Sequence, residues 1–176
     1  MSAKLVLYNA IKTKLLAMND GAETPVTIVK TSGHYNNQFE RIVEEIQFTF
    51  PAAFIAFTDI PWNTSVGSVQ NNSTQEQKAQ CNIEIHIGTT NLKDEVDSFP
   101  EDIAIIDSIH DQLNGLQGTQ FTPLKRIGEV DDTNNSNLRH WVITYQTELH
   151  EKGYEGTDVD AADGQVITIG ITPVIT

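Results

Sequence analysis

Three stretches of this chain place carboxylates and imidazoles close enough in sequence to raise the question of catalysis or metal binding. His150-Glu151-Lys152-Gly153-Tyr154 begins like the zinc-protease pattern, in which two histidines four residues apart hold the metal and the glutamate acts as base. Tyr154 stands where the second imidazole is required, and the surrounding alternation reads as the end of a strand. Asp158, Asp160 and Asp163-Gly164 have the outline of a calcium loop, but Ala162 fills its fifth position and Ile169 its twelfth, where a bidentate glutamate belongs. A flexible acidic linker is the better reading. Asp107 and His110 lie three apart on one helix and read as a solvated pair. A general base also needs a nucleophile, an orienting group and a pocket, and the sequence places none of these.

The other candidates are single side chains. His86, His140 and His150 fall on the polar faces of strands, where two of them can become cross-strand neighbours, and they read as surface imidazoles. Cys81 sits in an alternating strand pattern where a buried thiol is the ordinary occupant, and with one cysteine no intrachain disulfide forms. There is no phosphate-binding glycine loop and no Gly-x-Ser-x-Gly elbow. The sequence therefore assigns no catalytic residue, no cofactor or cofactor-binding residue, and no metal site.

The elements that would position these residues follow from periodicity. Ser2 can cap a first helix whose Leu5, Tyr8, Ile11, Leu15 and Leu16 form one buried face, ending near Met18. After a turn at Asn19-Asp20-Gly21, residues 26–29 read as a short strand and 34–38 as polar loop. Ala52-Ala53-Phe54-Ile55-Ala56-Phe57 is apolar throughout, as in a central strand covered on both faces. Ala79, Cys81, Ile83, Ile85 and Ile87 alternate with Gln80, Asn82, Glu84 and His86, the clearest strand of the chain. Ser98-x-x-Glu101 has the form of a capping box, and Phe99, Ile103, Ile106, Ile109, Leu113 and Leu116 continue along one helical face. Two further strands, 122–130 and 138–150, make a hairpin across a polar turn.

This order predicts an α+β fold: a mainly antiparallel sheet with two helices packed on one face, plus an extended C-terminal arm. Residues 1–152 form the domain, and 153–176 an acidic linker and strand-like arm. In the arm Val166, Ile167, Ile169 and Ile171 restore strand-like alternation, suited to its own sheet edge or a neighbour's. Trp141 lies among alternating apolar residues and reads as core. Trp62 follows Pro61 on a polar connection that also carries Val66 and Val69, and reads either as a core anchor or as a contact with a neighbouring subunit.

Composition narrows the partners. The 176 residues are 39% hydrophobic and 20% charged, as in one globular domain rather than a disordered chain. Acidic side chains outnumber basic ones 24 to 11, for a formal charge of −13. Lys125-Arg126, the nearest approach to a basic patch, has Glu129, Asp131 and Asp132 beside it, so nonspecific nucleic-acid binding by counterion release is disfavoured. No stretch approaches the apolar length of a membrane span, and the N-terminal residues lack the regions of a secretory signal. A soluble protein made in a reducing cytoplasm is expected.

The segments Asn37-Gln38-Phe39, Phe50 to Phe57, Pro61-Trp62, Gln75-Glu76 leading into Ile83-Glu84-Ile85-His86-Ile87, and the Ile105 to Leu116 helix together resemble the bacteriophage tail terminator, or tail completion, family. The resemblance spans about residues 3–150, its motifs are short and structural, and it carries over no catalytic residue. It implies a virion protein at the head-proximal end of the tail. Such proteins form a homo-oligomeric ring, commonly a hexamer, that sits on the tail tube protein, ends its polymerisation and offers a surface to the head-tail connector protein. A negative lumen would let DNA pass through without specific binding. The arm departs from the family pattern. Trp62, Val66, Val69, Val166, Ile167, Ile169 and Ile171 are the subunit-interface candidates. Two other readings remain open: a tail-tube or baseplate adaptor ring subunit, and a small-molecule-binding or hydrolytic α+β domain, which would require His86, His140 and Asp107 to converge in a deep cleft.

Overall fold

The computed structural model describes residues 2–19, 21, 27–40, 48–58, 60–64, 76–89, 98–132 and 138–152. Helix α1 (Ala3–Leu16) buries Ala3, Leu7, Ile11 and Leu15. Four-residue steps advance by about 40° each on a 3.6-residue helix, so the four positions cover about 120° of its circumference. Leu5 and Leu16 fall outside it and are exposed, contrary to the face expected from sequence. Ser2 occupies the N-cap position without a side-chain hydrogen bond. A carboxylate from the far end of the chain satisfies the helix start: the Ala3 amide donates to Glu151 Oε1 at 2.7 Å, placing negative charge at the positive end of the helix dipole.

The strands are β1 (Thr31–His34), β2 (Ala52–Phe57), β3 (Trp62–Thr64), β4 (Glu76–Thr89), β5 (Lys125–Asp131) and β6 (Arg139–Lys152), with α2 (Ser98–Leu113) between β4 and β5. The sheet order is β1-β2-β4-β6-β5, and β3 also pairs with β4. Among the described strands only β1 and β2 run parallel. Where the sequence predicts a strand at 26–29, the described residues 27–29 hold an isolated bridge between Asn19 and Thr27, and β1 forms over 31–34, of which only His34 falls in the expected polar loop. Its Thr31-Ser32-Gly33-His34 has little strand propensity. Pairing with the apolar β2 supplies the ladder, a tertiary override of local preference.

β4 and β6 pair from Glu76↔Lys152 to Thr89↔Arg139 and form the spine of the molecule. Because side chains alternate across a sheet, this register sorts the chain into two faces. One face carries Cys81, Ile83, Ile85 and Ile87 opposite Thr147, Tyr145, Ile143 and Trp141, with Ala53 and Ile55 of β2 beside them. Leu7, Ile11 and Leu15 of α1 and Ile106, Ile109 and Leu113 of α2 join these residues in one buried cluster. Both helices thus lie on the same face of a mainly antiparallel sheet, and the α+β expectation holds. Cys81 and Trp141 take their expected core places. At the edge of this core Asp102 of α2 is buried, with its Oδ2 3.4 Å from Arg139 Nε.

The opposite face is divided. Near β1 and β2, Phe39, Ala52, Phe54 and Leu138 are buried together, with Tyr35, Phe48 and Phe50 packed against them. Gly88 makes this second cluster possible, since a Cβ there would come within 2.4 Å of the Phe39 ring. Toward the other end the same face bears Lys78, Gln80 and Asn82 opposite His150, Glu148 and Gln146, a polar ladder.

Candidate functional site

The strand register separates several of the candidate residues for chemistry, while the Asp158–Gly164 segment and Tyr154 lie outside the described residues. His150 and Glu151 are consecutive on β6 and therefore project to opposite faces. His150 Nε2 lies 3.2 Å from Glu148 Oε1, while Glu151 caps α1. The expected Asp107–His110 pair is not among the described ion pairs. His110 instead turns to the sheet, its Nδ1 3.3 Å from the Tyr145 hydroxyl, with the two rings stacked. Burial raises the Tyr145 phenol well above its ordinary pKa and pushes the Cys81 thiol up to about 11, which leaves that thiol protonated and inert at neutral pH.

His86 and His140 are the main departure from expectation. They are not surface imidazoles: their exposures are 8% and 7%. Residues on the polar-looking face of β4 and β6 become buried here because the 35–39 segment and its aromatic rings cover that end of the sheet. Tyr35 stacks on His86 with ring centroids 3.6 Å apart and planes 7° from parallel, and the Phe39 ring lies 4.9 Å from that of His140. The imidazoles meet at 3.0 Å, His86 Nδ1 to His140 Nε2. Their outer nitrogens face carboxylates, His86 Nε2 at 3.3 Å from Glu84 Oε2 and His140 Nδ1 at 3.3 Å from Asp132 Oδ2. Desolvation lowers both histidines. It takes His86 to about 4, with the neighbouring His140 adding to the effect, and for His140 it outweighs the opposing pull of Asp132, Glu40 and Asp131.

This constellation does not make a catalytic cleft. Asp107 belongs to α2 on the other face of the sheet, so the three residues that a hydrolytic reading needed do not converge. Among the described residues no three His, Cys, Asp or Glu side chains gather as a metal site. An open hollow of about 400 Å³ lies over the polar ladder, lined by Lys78, Gln80, Thr122, Lys125, Gln146 and Glu148. Lys78 and Glu148 there face each other at 3.9 Å, both half-exposed, so their charges are largely answered within the wall. No described helix is long and apolar enough to cross a membrane.

The surface offers a second kind of site. Trp62 is 38% exposed, at the start of β3 and opposite Ala79 of β4. It is not a core anchor. At the far edge of the sheet β5 is exposed along nearly its whole length. A register shift between Arg126 and Gly128 leaves Ile127 without a cross-strand partner, and Ile127 and Val130 are 52% and 60% exposed. Arg126 is neutralised locally by Glu129 at 3.0 Å, in keeping with strand-surface charge rather than a nucleic-acid patch. Sequence reasoning did not single out Ile127 and Val130. The signal available was their place on the outer strand of a terminal hairpin. Val66, Val69, Val166, Ile167, Ile169 and Ile171, with the linker and arm at 153–176, lie outside the described residues.

No known family profile matches the chain. No curated protein matches it either. Among solved structures, a chain described as belonging to the virion of a native gene transfer agent particle is similar, with a TM-score of 0.49 and 10% identity over 82% of this chain and 95% of that one. A likeness at that level transfers no residue role.

Proposed function

We propose that the chain is a structural subunit of a virion, acting as a tail terminator: a ring of copies, commonly six in the family it resembles, that caps the tail tube, ends its growth and receives the head connector. The observation that carries this reading is the placement of the resembling segments. Phe50 to Phe57, Trp62, the 83–87 strand and the 105–113 part of α2 all belong to the sheet and the helix packed on it, and of their described large apolar side chains Trp62 stands exposed. Trp62 and, on the outer strand, Ile127 and Val130 are exposed as an interface between copies requires.

Capping on this reading is geometric. Heterologous contacts between a subunit and its neighbour close into a ring when the rotation between them divides a full turn. One ring face then matches the tube, and the other lacks the next docking surface. The net charge of −13 per copy suits a pore through which DNA slides without being held. The segment at 166–171 is assigned as a brace between subunits. The test is assembly of the tube protein in the presence of this chain. Tubes capped and shortened in proportion to added chain support the reading, with Trp62→Ser reducing capping while leaving the fold intact. If the chain incorporates along the length of the tubes, it is a tube subunit instead.

A further inference from the structure

We propose that the buried His86–His140 pair is an acid-sensitive latch holding the 35–39 segment against the outer face of the sheet. The argument rests on proton counting across the contacts. Glu84, His86, His140 and Asp132 form a row of four groups with three polar gaps, all between 3.0 and 3.3 Å. Two neutral imidazoles carry two N–H protons, enough for the central N–H···N bond and one outer bond to a carboxylate. One further proton can be placed in the remaining outer gap. A second cannot, because it would set two N–H donors against each other at 3.0 Å and two imidazolium charges in contact. Once the segment lifts and the rings are wet, both histidines can be charged. Opening therefore takes up at least one proton that the closed arrangement refuses.

The groups facing the pair come from every element around it. Glu84 is on β4, Tyr35 and Glu40 belong to the segment following β1, and Asp131 and Asp132 are at the end of β5. The carboxylates favour a charged pair. Burial beneath Tyr35 and Phe39 opposes it more strongly, and His86 falls to about 4. The sign follows from linkage: the open state binds more protons below the ordinary histidine value, so the closed state loses ground as pH falls from about 6.5. The Tyr35 ring stacked on His86 is the part of the segment that feels this first, and the Tyr35 amide, bonded to the Ile55 carbonyl at 2.9 Å, reports it.

The experiment is native-state amide hydrogen exchange on the full chain at pH 7 and pH 5, corrected for the intrinsic pH dependence of exchange. Uptake of one proton by an ordinary histidine increases opening at Tyr35 on the order of twentyfold over this range. Core amides of β4 and β6 are expected to change less than that of Tyr35. In His140→Gln, which keeps a polar partner for His86 and removes one titrating ring, the pH response of the Tyr35 amide shrinks severalfold. A flat response in the unaltered protein overturns the latch. So does an undiminished response in His140→Gln, which would assign the effect to the carboxylates.

Discussion

The two faces of the sheet are built on different principles, although the same two strands, β4 and β6, supply both. On the helix-covered face the side chains are mainly aliphatic and enclosed, and apolar burial is their chief stabilisation, at roughly 25 cal/mol for each Å² of apolar surface removed from water. On the other face a small aromatic cluster covers two imidazoles whose stability depends on their protonation state, and beside it lies an open polar ladder. The first face is a scaffold built mainly on apolar packing. The second is adjustable, held by a short segment over titratable groups.

The largest expected effect lies on the scaffold face. Ile109→Ala, at a fully buried position of α2, should cost about 2–5 kcal/mol in denaturant titration through lost transfer energy and a residual cavity. A cost below about 1 kcal/mol would mean that the helices are not firmly seated. Acidification should act mainly through the second face. His86 is neutral in the folded chain well below the unfolded value of 6.5, so its contribution is full above pH 6.5 and is lost progressively down to about pH 4. The loss is on the order of 3 kcal/mol, visible as a falling urea midpoint that His86→Phe makes shallower.

Glycine substitutions sharpen the contrast within the outer face. Gly88→Ala forces a methyl against Phe39 in a packed aromatic cluster and should destabilise by about 1–3 kcal/mol. At Gly128 the nearest side-chain atom to an added Cβ is 3.8 Å away, so Gly128→Ala should change stability by less than about 0.5 kcal/mol. Equal effects at the two glycines would show that the aromatic cluster is loosely packed. The smallest change in folding is expected at the rim. Ile127→Thr should alter the denaturation midpoint by no more than about 0.5 kcal/mol while weakening self-association measured by sedimentation, since its side chain is exposed in the single chain.

Much of the scaffold face was legible in the sequence because its periodicity is strict. Ile83, Ile85 and Ile87 alternate without interruption, and Ile106, Ile109 and Leu113 keep helical spacing, so fold class and the side to which α2 packs followed directly. The outer face was not legible for an equally physical reason. His86 and His140 occupy positions where alternation predicts water, and only the return of residues 35–39 from a distant segment, seated on Gly88, removes that water. β1 escaped notice because its residues are polar and its ladder depends on β2. Of the interface candidates, Trp62 was visible as an apolar residue in a polar connection, whereas Ile127 and Val130 are marked by the place of β5 at the end of the described strand order, a property of the sheet rather than of local sequence.

Electron microscopy of tailed particles carrying a labelled copy of this chain tests the central claim most directly. The account predicts one closed ring of label at the head-proximal end of each tail, between tube and connector. Label repeated along the tube, or particles that lack the chain altogether, would contradict it.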